Sequence, residues 1–216
     1  MGTKPKTRDR ILQTALQLFN EEGETLVSTV DIASTMGISP GNLYYHFKGK
    51  EAIIEGLFDN FEEEISLILN APIRGPLAVE DNWVFVYIIF EEIYDFRFFY
   101  QNISAMLERC PGLRPRFSRI LSLIQKTGFA MLSVLEEKDL LSFGPDEKEA
   151  LSERLTAHLT FWLQYYSLRY TDMNEKHLIH YGVYEALIQV TPYLSNPAST
   201  FPQTLAAFLS DQIENS

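Results

Sequence analysis

Ser28 to Lys50 reads STVDIASTMGISPGNLYYHFKGK, and this stretch decides the fold. Ser28 stands where a helix N-cap is needed, and Asp31, three residues on, takes the place of the reciprocal capping-box partner. Ile32 and Ala33 supply the apolar side of a short helix that ends near Met36, where Gly37 can adopt the left-handed conformation that closes it. Ile38 can then plug the turn, and Ser39 followed by Pro40 is a second N-cap with proline at the first helical position. Two short helices joined by a tight turn are predicted, the second over Pro40 to Phe47 with Leu43 and Phe47 facing the interior.

The second helix has the chemistry of a recognition helix. Gly41 and Asn42 are small enough to let the backbone approach another surface, and Tyr44, Tyr45 and His46 follow them. In a DNA major groove the amino-terminal part of such a helix meets base edges while flanking groups hold phosphates. Thr29, Ser39 and the tyrosine hydroxyls can donate to phosphate, Lys48 and Lys50 add positive charge just beyond, and Lys4, Lys6, Arg8 and Arg10 form a basic arm.

Thr29 to Lys50, with Asp31-Ile32-Ala33, Gly37-Ile38-Ser39, Gly41 to Phe47 and Lys50, resembles the DNA-binding segment of the tetracycline-repressor (TetR) family. Ile11, Ala15, Leu16 and Phe19 followed by Gly23 resemble that family's first helix, so the specific likeness covers about the first 60 residues. The resemblance implies an all-α protein: an N-terminal three-helix helix-turn-helix domain and a C-terminal helical domain for ligand binding and dimerisation. Carried over by position, it implies DNA contacts from Thr29, Ser39, Pro40, Gly41, Asn42, Tyr44, Tyr45, His46 and Lys50. Many members have lysine where this chain has Pro40, which shifts weight to Lys48, and Val30 stands where a polar residue is common. The implied domains are residues 1–50, continuing into a connecting helix at about 51–70, and residues 71–216.

Composition bounds the alternatives. The 216 residues carry 18 Lys and Arg against 29 Asp and Glu, a formal net charge of -11, which argues against a protein that coats nucleic acid with its whole surface. The excess acid lies downstream. Residues 1–50 hold six bases and five acids, leaving about +1 there and about -12 in the remainder. One cysteine, Cys110, cannot make an internal disulfide, no signal-type apolar leader follows the basic start, and no run approaches the ~20 apolar residues of a membrane span. A cytoplasmic protein without a membrane partner is expected.

Beyond the motif, apolar residues recur at helical spacing, as in Ile54, Leu57, Phe58, Phe61, Ile65 and Ile68. Phe117 to Leu135 and Leu151 to Tyr166 give two more long helices, and Trp83 to Tyr100 reads as two consecutive buried ones. Breakers divide the chain into about nine or ten helices, with a unit boundary near Asn70 to Pro76. Aromatic residues crowd the downstream region. Trp83, Tyr87, Phe90, Tyr94, Phe99, Phe129, Trp162 and Tyr166 are the candidates for an aromatic cavity that accepts a hydrophobic or amphipathic effector, although large side chains at such spacing ordinarily fill interiors.

The last two long helices expected, about 146–171 and 174–194, carry apolar faces suited to a four-helix dimer interface, as the resemblance implies. The expected partners are therefore a pseudo-palindromic DNA operator, a second copy of the chain and a small-molecule effector. His177 and His180 lack the further ligands of a metal site, Cys110 lacks a resolving partner, and no catalytic constellation stands out, so neither a cofactor nor enzymatic activity is expected. Two other readings remain at this level: a helical small-molecule-binding protein that does not use DNA, supported by the acidic total, Pro40 and Val30, and an all-helical enzyme with an apolar pocket.

Overall fold

The computed structural model describes residues 6–71, 79–170 and 174–214, with the side chains of 79–82 left aside. Lys4 of the basic arm, Pro72 to Pro76 of the expected boundary, and Met173 therefore lie outside the described residues. Among the described residues there are eleven α-helices and no strand longer than the isolated bridge between Leu141 and Leu194. In chain order these are α1 (Thr7–Leu18), α2 (Thr29–Thr35), α3 (Pro40–His46), α4 (Lys50–Leu69), α5 (Val79–Asp95), α6 (Arg97–Tyr100), α7 (Ile103–Arg109), α8 (Leu113–Glu137), α9 (Glu147–Arg169), α10 (Glu175–Ile188) and α11 (Phe201–Glu214). A π-helical turn, Phe19–Gly23, extends α1, and a 3-10 turn, Thr191–Tyr193, follows α10.

Two compact units emerge: one of the residues up to Glu64 with Asp95–Phe117, the other of Ile65–Tyr94 with the residues from Ser118 onward. The first is thus built on α1 to α3 and the larger part of α4, completed by α6 and α7 from farther along the chain. Its core is aliphatic around Ile11, Ala15, Ile32, Leu43 and Ile53, and aromatic around Phe58, Phe61, Phe96, Phe99, Tyr100 and Phe117. The rings of Phe58 and Phe99 lie 5.2 Å apart and those of Phe99 and Phe117 5.3 Å apart, in tilted and edge-on geometries that favour aromatic pairs. Asn20 in the π-helical turn ties this unit across 75 residues of sequence: its Nδ2 donates to the Asp95 carbonyl at 2.7 Å and its Oδ1 accepts from the Phe98 N–H at 3.1 Å.

The second unit packs α9 against α10 with unusual closeness. A Cβ added to Gly182 on α10 would fall 2.5 Å from Phe90 Cε1 and 3.1 Å from Trp162 Cε3, so glycine alone admits these rings. Phe90 and Trp162 stand edge to face at 4.8 Å, and His158 Nε2 bonds the Gly182 carbonyl at 3.1 Å. Burial pushes the pKa of His158 down, against the smaller opposing effect of that bond. Helix α11 lies on α10, where His177 Nε2 bonds the Ile213 carbonyl, and its Phe208 meets Trp83 of α5 with tilted rings 4.8 Å apart. The pair expected at 146–171 and 174–194 corresponds to α9 and α10, and α10 ends earlier, at Ile188.

Gly182→Ala is expected to destabilise the protein by about 3 kcal/mol, the upper part of the range for overpacking a close-packed core. Denaturant unfolding followed by tryptophan fluorescence reads this directly, and an unchanged midpoint would show that α10 can back away from Phe90 and Trp162 without cost.

Candidate nucleic-acid interface and cavity

The helix-turn-helix forms through short-range bonds. Ser28 Oγ accepts from the Asp31 N–H at 3.2 Å while the Ser28 N–H donates to Asp31 Oδ2 at 2.8 Å, completing the capping box. The Ser28 hydroxyl and N–H bonds also hold the exposed Asp31 carboxyl below the usual carboxylate range. At the other end Gly37 has φ +66°, its N–H donates to the Ser34 carbonyl, and the Ile38 N–H reaches back to Ala33 at 3.0 Å, a Schellman closure. Ser39 Oγ caps α3 by accepting from the Asn42 N–H at 3.1 Å.

These caps leave α3 with one buried side, Leu43 and the following Phe47, and an outer face of Pro40, Gly41, Asn42, Tyr44 and Tyr45. Tyr45 is 79% exposed and Tyr44 57%, which is costly display for bare aromatic rings and suits a surface that another molecule covers. Lys48 Nζ sits 4.5 Å above the Tyr44 ring and is otherwise open to solvent. His46 is half-buried with its ring edge-on to Tyr45, Ser39 is exposed at the turn, and Thr29 is half-buried at the start of α2. Val30, beside it, is 56% exposed. Arg8 from α1 lies over the Phe47 ring at 5.0 Å, so this arm residue packs on the domain.

Lys50 differs from the expectation. Its ammonium points inward, donating to the Val27 carbonyl at 2.9 Å and to the Glu24 carbonyl, and pairing with Glu24 Oε1 at 2.9 Å. Glu24 is buried, and its carboxylate also takes both terminal nitrogens of Arg109 on α7, Nη1 to Oε1 at 2.9 Å and Nη2 to Oε2. Burial alone would raise the Glu24 pKa. Hydrogen bonds and charge from Arg109 and Lys50 outweigh that effect and hold it below its ordinary value. With its donors engaged by protein acceptors, Lys50 braces the loop between α1 and α2 against the start of α4, which leaves Lys48 as the lysine exposed beside α3. Nothing local in the sequence marks Glu24 or Arg109 as partners, since Glu24 is one of several acids in a polar loop.

The second unit contains a cavity of about 480 Å³, in the range of small-molecule sites. Its walls come from Leu69 of α4, Phe85, Val86 and Ile89 of α5, the α8 face from Ile124 to Leu135, Leu155 and Leu159 of α9, Ala186 and Leu187 of α10, and Val190 just beyond it. None of the eight aromatic candidates lines it. Trp83 and Tyr87 both pack against the His180 ring, Phe90 packs on Trp162, and Tyr94 is half-buried outside the cavity wall. Phe99 belongs to the core of the first unit, and Phe129 is partly exposed beneath Lys148. Trp162 and Tyr166 border a separate surface recess with His158, Phe161, Tyr165 and Glu185. The physical reason is packing: most rings at helical spacing satisfy one another, and the space left over is bounded mainly by aliphatic side chains, with Phe85 and Phe201 the rings that remain.

Among the described residues no group of three His, Cys, Asp or Glu is placed to hold a metal, and no helix is long and apolar enough to cross a membrane. Cys110 is buried in the first unit, where desolvation, followed by the nearby charges of Glu55 and Glu51, pushes its thiol pKa up, away from the thiolate form.

A family model described as bacterial regulatory proteins of the tetR family matches residues 11–57, and the TetR model, described as a bacterial transcriptional repressor, matches residues 60–200. The chain belongs to the TetR family. Its relatives include the HTH-type transcriptional regulator UidR of Escherichia coli K12, 28% identical over 155 residues that cover 72% of this chain and 78% of UidR. The HTH-type transcriptional repressor KstR2 of Mycolicibacterium smegmatis is 41% identical over 54 residues, 25% of this chain and 26% of KstR2. Among solved structures, a TetR-family transcriptional regulator from Marinobacter aquaeolei VT8 superimposes with a TM-score of 0.83 at 27% identity, covering 96% of this chain and 99% of that one. This TetR-family protein is accordingly a ligand-responsive, DNA-binding transcriptional repressor.

Removing one partner from the buried charge cluster is the sharpest test of the first unit. Glu24→Gln is expected to cost on the order of 3 kcal/mol, as for a broken buried ion pair. Because the folded pKa of Glu24 is depressed, its stabilisation is complete above the ordinary carboxyl value of 4.5 and is lost as pH falls below that toward the folded value. Thermal melts of the wild type and the variant are expected to converge as the pH is lowered; a gap that stays constant from pH 7 to pH 3 would remove Glu24 from this role.

Proposed function

We propose that two copies of this chain join through α9 and α10 and present their α3 helices to two successive major grooves of a pseudo-palindromic operator. The observation that carries the reading is α3, capped by Ser39, whose outer face displays Asn42, Tyr44 and Tyr45 while Leu43 and Phe47 anchor it from below. Thr29, Ser39, Pro40, Gly41 and His46 flank that face, and Lys48 supplies the charge nearest to it. In this reading Asn42 and the tyrosines meet base edges and phosphates, and the two helices stand roughly 34 Å apart, one turn of the duplex.

The dimer is supported by the surface of α9. Phe161, Tyr165 and Leu168 recur at i, i+4 and i+7 and are 53%, 53% and 88% exposed, an apolar stripe beside the recess of Trp162 and Tyr166. Such a stripe on one protomer meets the same stripe of its partner across a two-fold axis. Effector binding belongs to the aliphatic cavity of the second unit. Asp139 is its sole ionisable lining residue among those described, which supports binding rather than acid–base catalysis there. An effector with greater affinity for the DNA-incompetent arrangement releases the operator by that difference alone.

Enrichment from a random duplex library with the full chain is expected to yield an inverted repeat, and failure to enrich any sequence would favour a binding protein that does not use DNA. On the enriched duplex, Tyr44→Ala is expected to weaken binding by about 1–3 kcal/mol, the scale of one base-edge contact, with the dimer intact. Gel-shift affinity equal to wild type would take Tyr44 out of the interface. For the dimer, Tyr165→Asp is expected to give a monomer mass by light scattering with helical content retained; a dimer mass would place the interface elsewhere.

A further inference from the structure

We infer that the cavity of the second unit takes an uncharged aliphatic molecule bearing a hydrogen-bond donor, and that Gly128 on α8 is the specificity-determining notch that makes room for it. The inference rests on the reading of this cavity as the effector site and adds the chemical class of its ligand.

The notch follows from spacing and from empty space. Ile124, Gly128, Met131 and Leu135 follow one another at i, i+4, i+7 and i+11 and all line the cavity, with Thr127 and Leu132 beside them. Gly128 therefore stands at the centre of the cavity-facing stripe of a 25-residue helix. A Cβ built on it meets no atom within 4 Å, in contrast to Gly182, where Phe90 is 2.5 Å away. Gly128 is absent from the glycines with positive φ, so the backbone there is open to any L-residue. Glycine weakens a helix interior, and here neither a turn nor a close approach requires it. What its missing side chain provides is width in the cavity.

The ligand class follows from the walls. The described residues that line the cavity include no Lys, Arg or His, and Asp139 is their sole ionisable group. A buried carboxylate or phosphate would find no cation to offset its desolvation. Three hydroxyls on the α8 and α9 walls have already committed their protons: Thr127 to the Leu69 carbonyl, Ser152 to that of Glu149, and Thr156 to that of Ser152. Their oxygens retain lone pairs and so accept from an O–H or N–H of the ligand. The rest of the lining is mainly aliphatic, with Phe85 and Phe201 its rings and Asn196, Ser199, Thr200 and Thr204 its other polar side chains, which favours an aliphatic body carrying few polar groups.

The test compares decan-1-ol with decanoate at pH 8 by titration calorimetry against the full-length wild type, Gly128→Ala and Gly128→Leu. Decan-1-ol is expected to bind the wild type at least tenfold more tightly than decanoate. Gly128→Leu is expected to lower decan-1-ol affinity at least tenfold, with Gly128→Ala in between, while neither lowers the melting temperature or alters affinity for the enriched operator. Equal binding of the two probes overturns the ligand class and leaves the effector cavity standing. Undiminished decan-1-ol binding by Gly128→Leu, or a lowered melting temperature, overturns the notch alone. If neither probe binds the wild type, the reading of the cavity as the effector site falls as well.

Discussion

The first unit depends on one buried carboxylate. Glu24 closes the π-helical end of α1 and gathers Lys50 from the start of α4 and Arg109 from the end of α7. A carboxylate out of water is tolerable only when its lone pairs are filled and its charge is met, and here two cations fill them from elements 26 and 85 residues away. Those elements are consequently held in one arrangement. Lys50 also takes the Val27 carbonyl, so the cation that sequence position assigns to phosphate is the one that fixes the approach to α2. Lys48 and uncharged side chains stand on and beside the outer face of α3, and in the proposed DNA complex recognition would lean on fit, because a net charge of -11 opposes loose attraction to a polyanion.

The second unit is organised by a contrast between two glycines. At Gly182 the absence of a side chain is filled at once by Phe90 and Trp162, and the helices close upon it. At Gly128 the same absence is left open. Aromatic rings have sought one another on the closed side, with Trp83 and Tyr87 against His180 and Phe90 against Trp162, because ring faces and edges pack best with other rings. The unfilled volume lies mainly among leucines, isoleucines and valines, with Phe85 and Phe201 as its rings. An aromatic-rich composition therefore produces a mainly aliphatic cavity.

Legibility varied with the range of the interaction. The caps at Ser28 and Ser39 and the closure at Gly37 are made by groups three to five residues apart, so reading along the chain finds both the atoms and their partners. Helix α8 was visible from its 3.6-residue period, and its one interior glycine amid cavity-facing apolar residues was a usable signal for the cavity. Nothing local separates Glu24 from Glu21 and Glu22, or Trp83 from Phe85, since what distinguishes them is the neighbour supplied by a distant helix.

The helix-turn-helix, the all-helical class and the outer face of α3 were determined by the sequence by itself, because capping, turn chemistry and amphipathic period are set by residues within a turn or two of one another. The tertiary structure decided which lysine is spent inside and which remains outside, which rings are core, and where space is left. Those outcomes depend on desolvation and packing between elements far apart in the chain, where a side chain's role is set by what arrives to meet it.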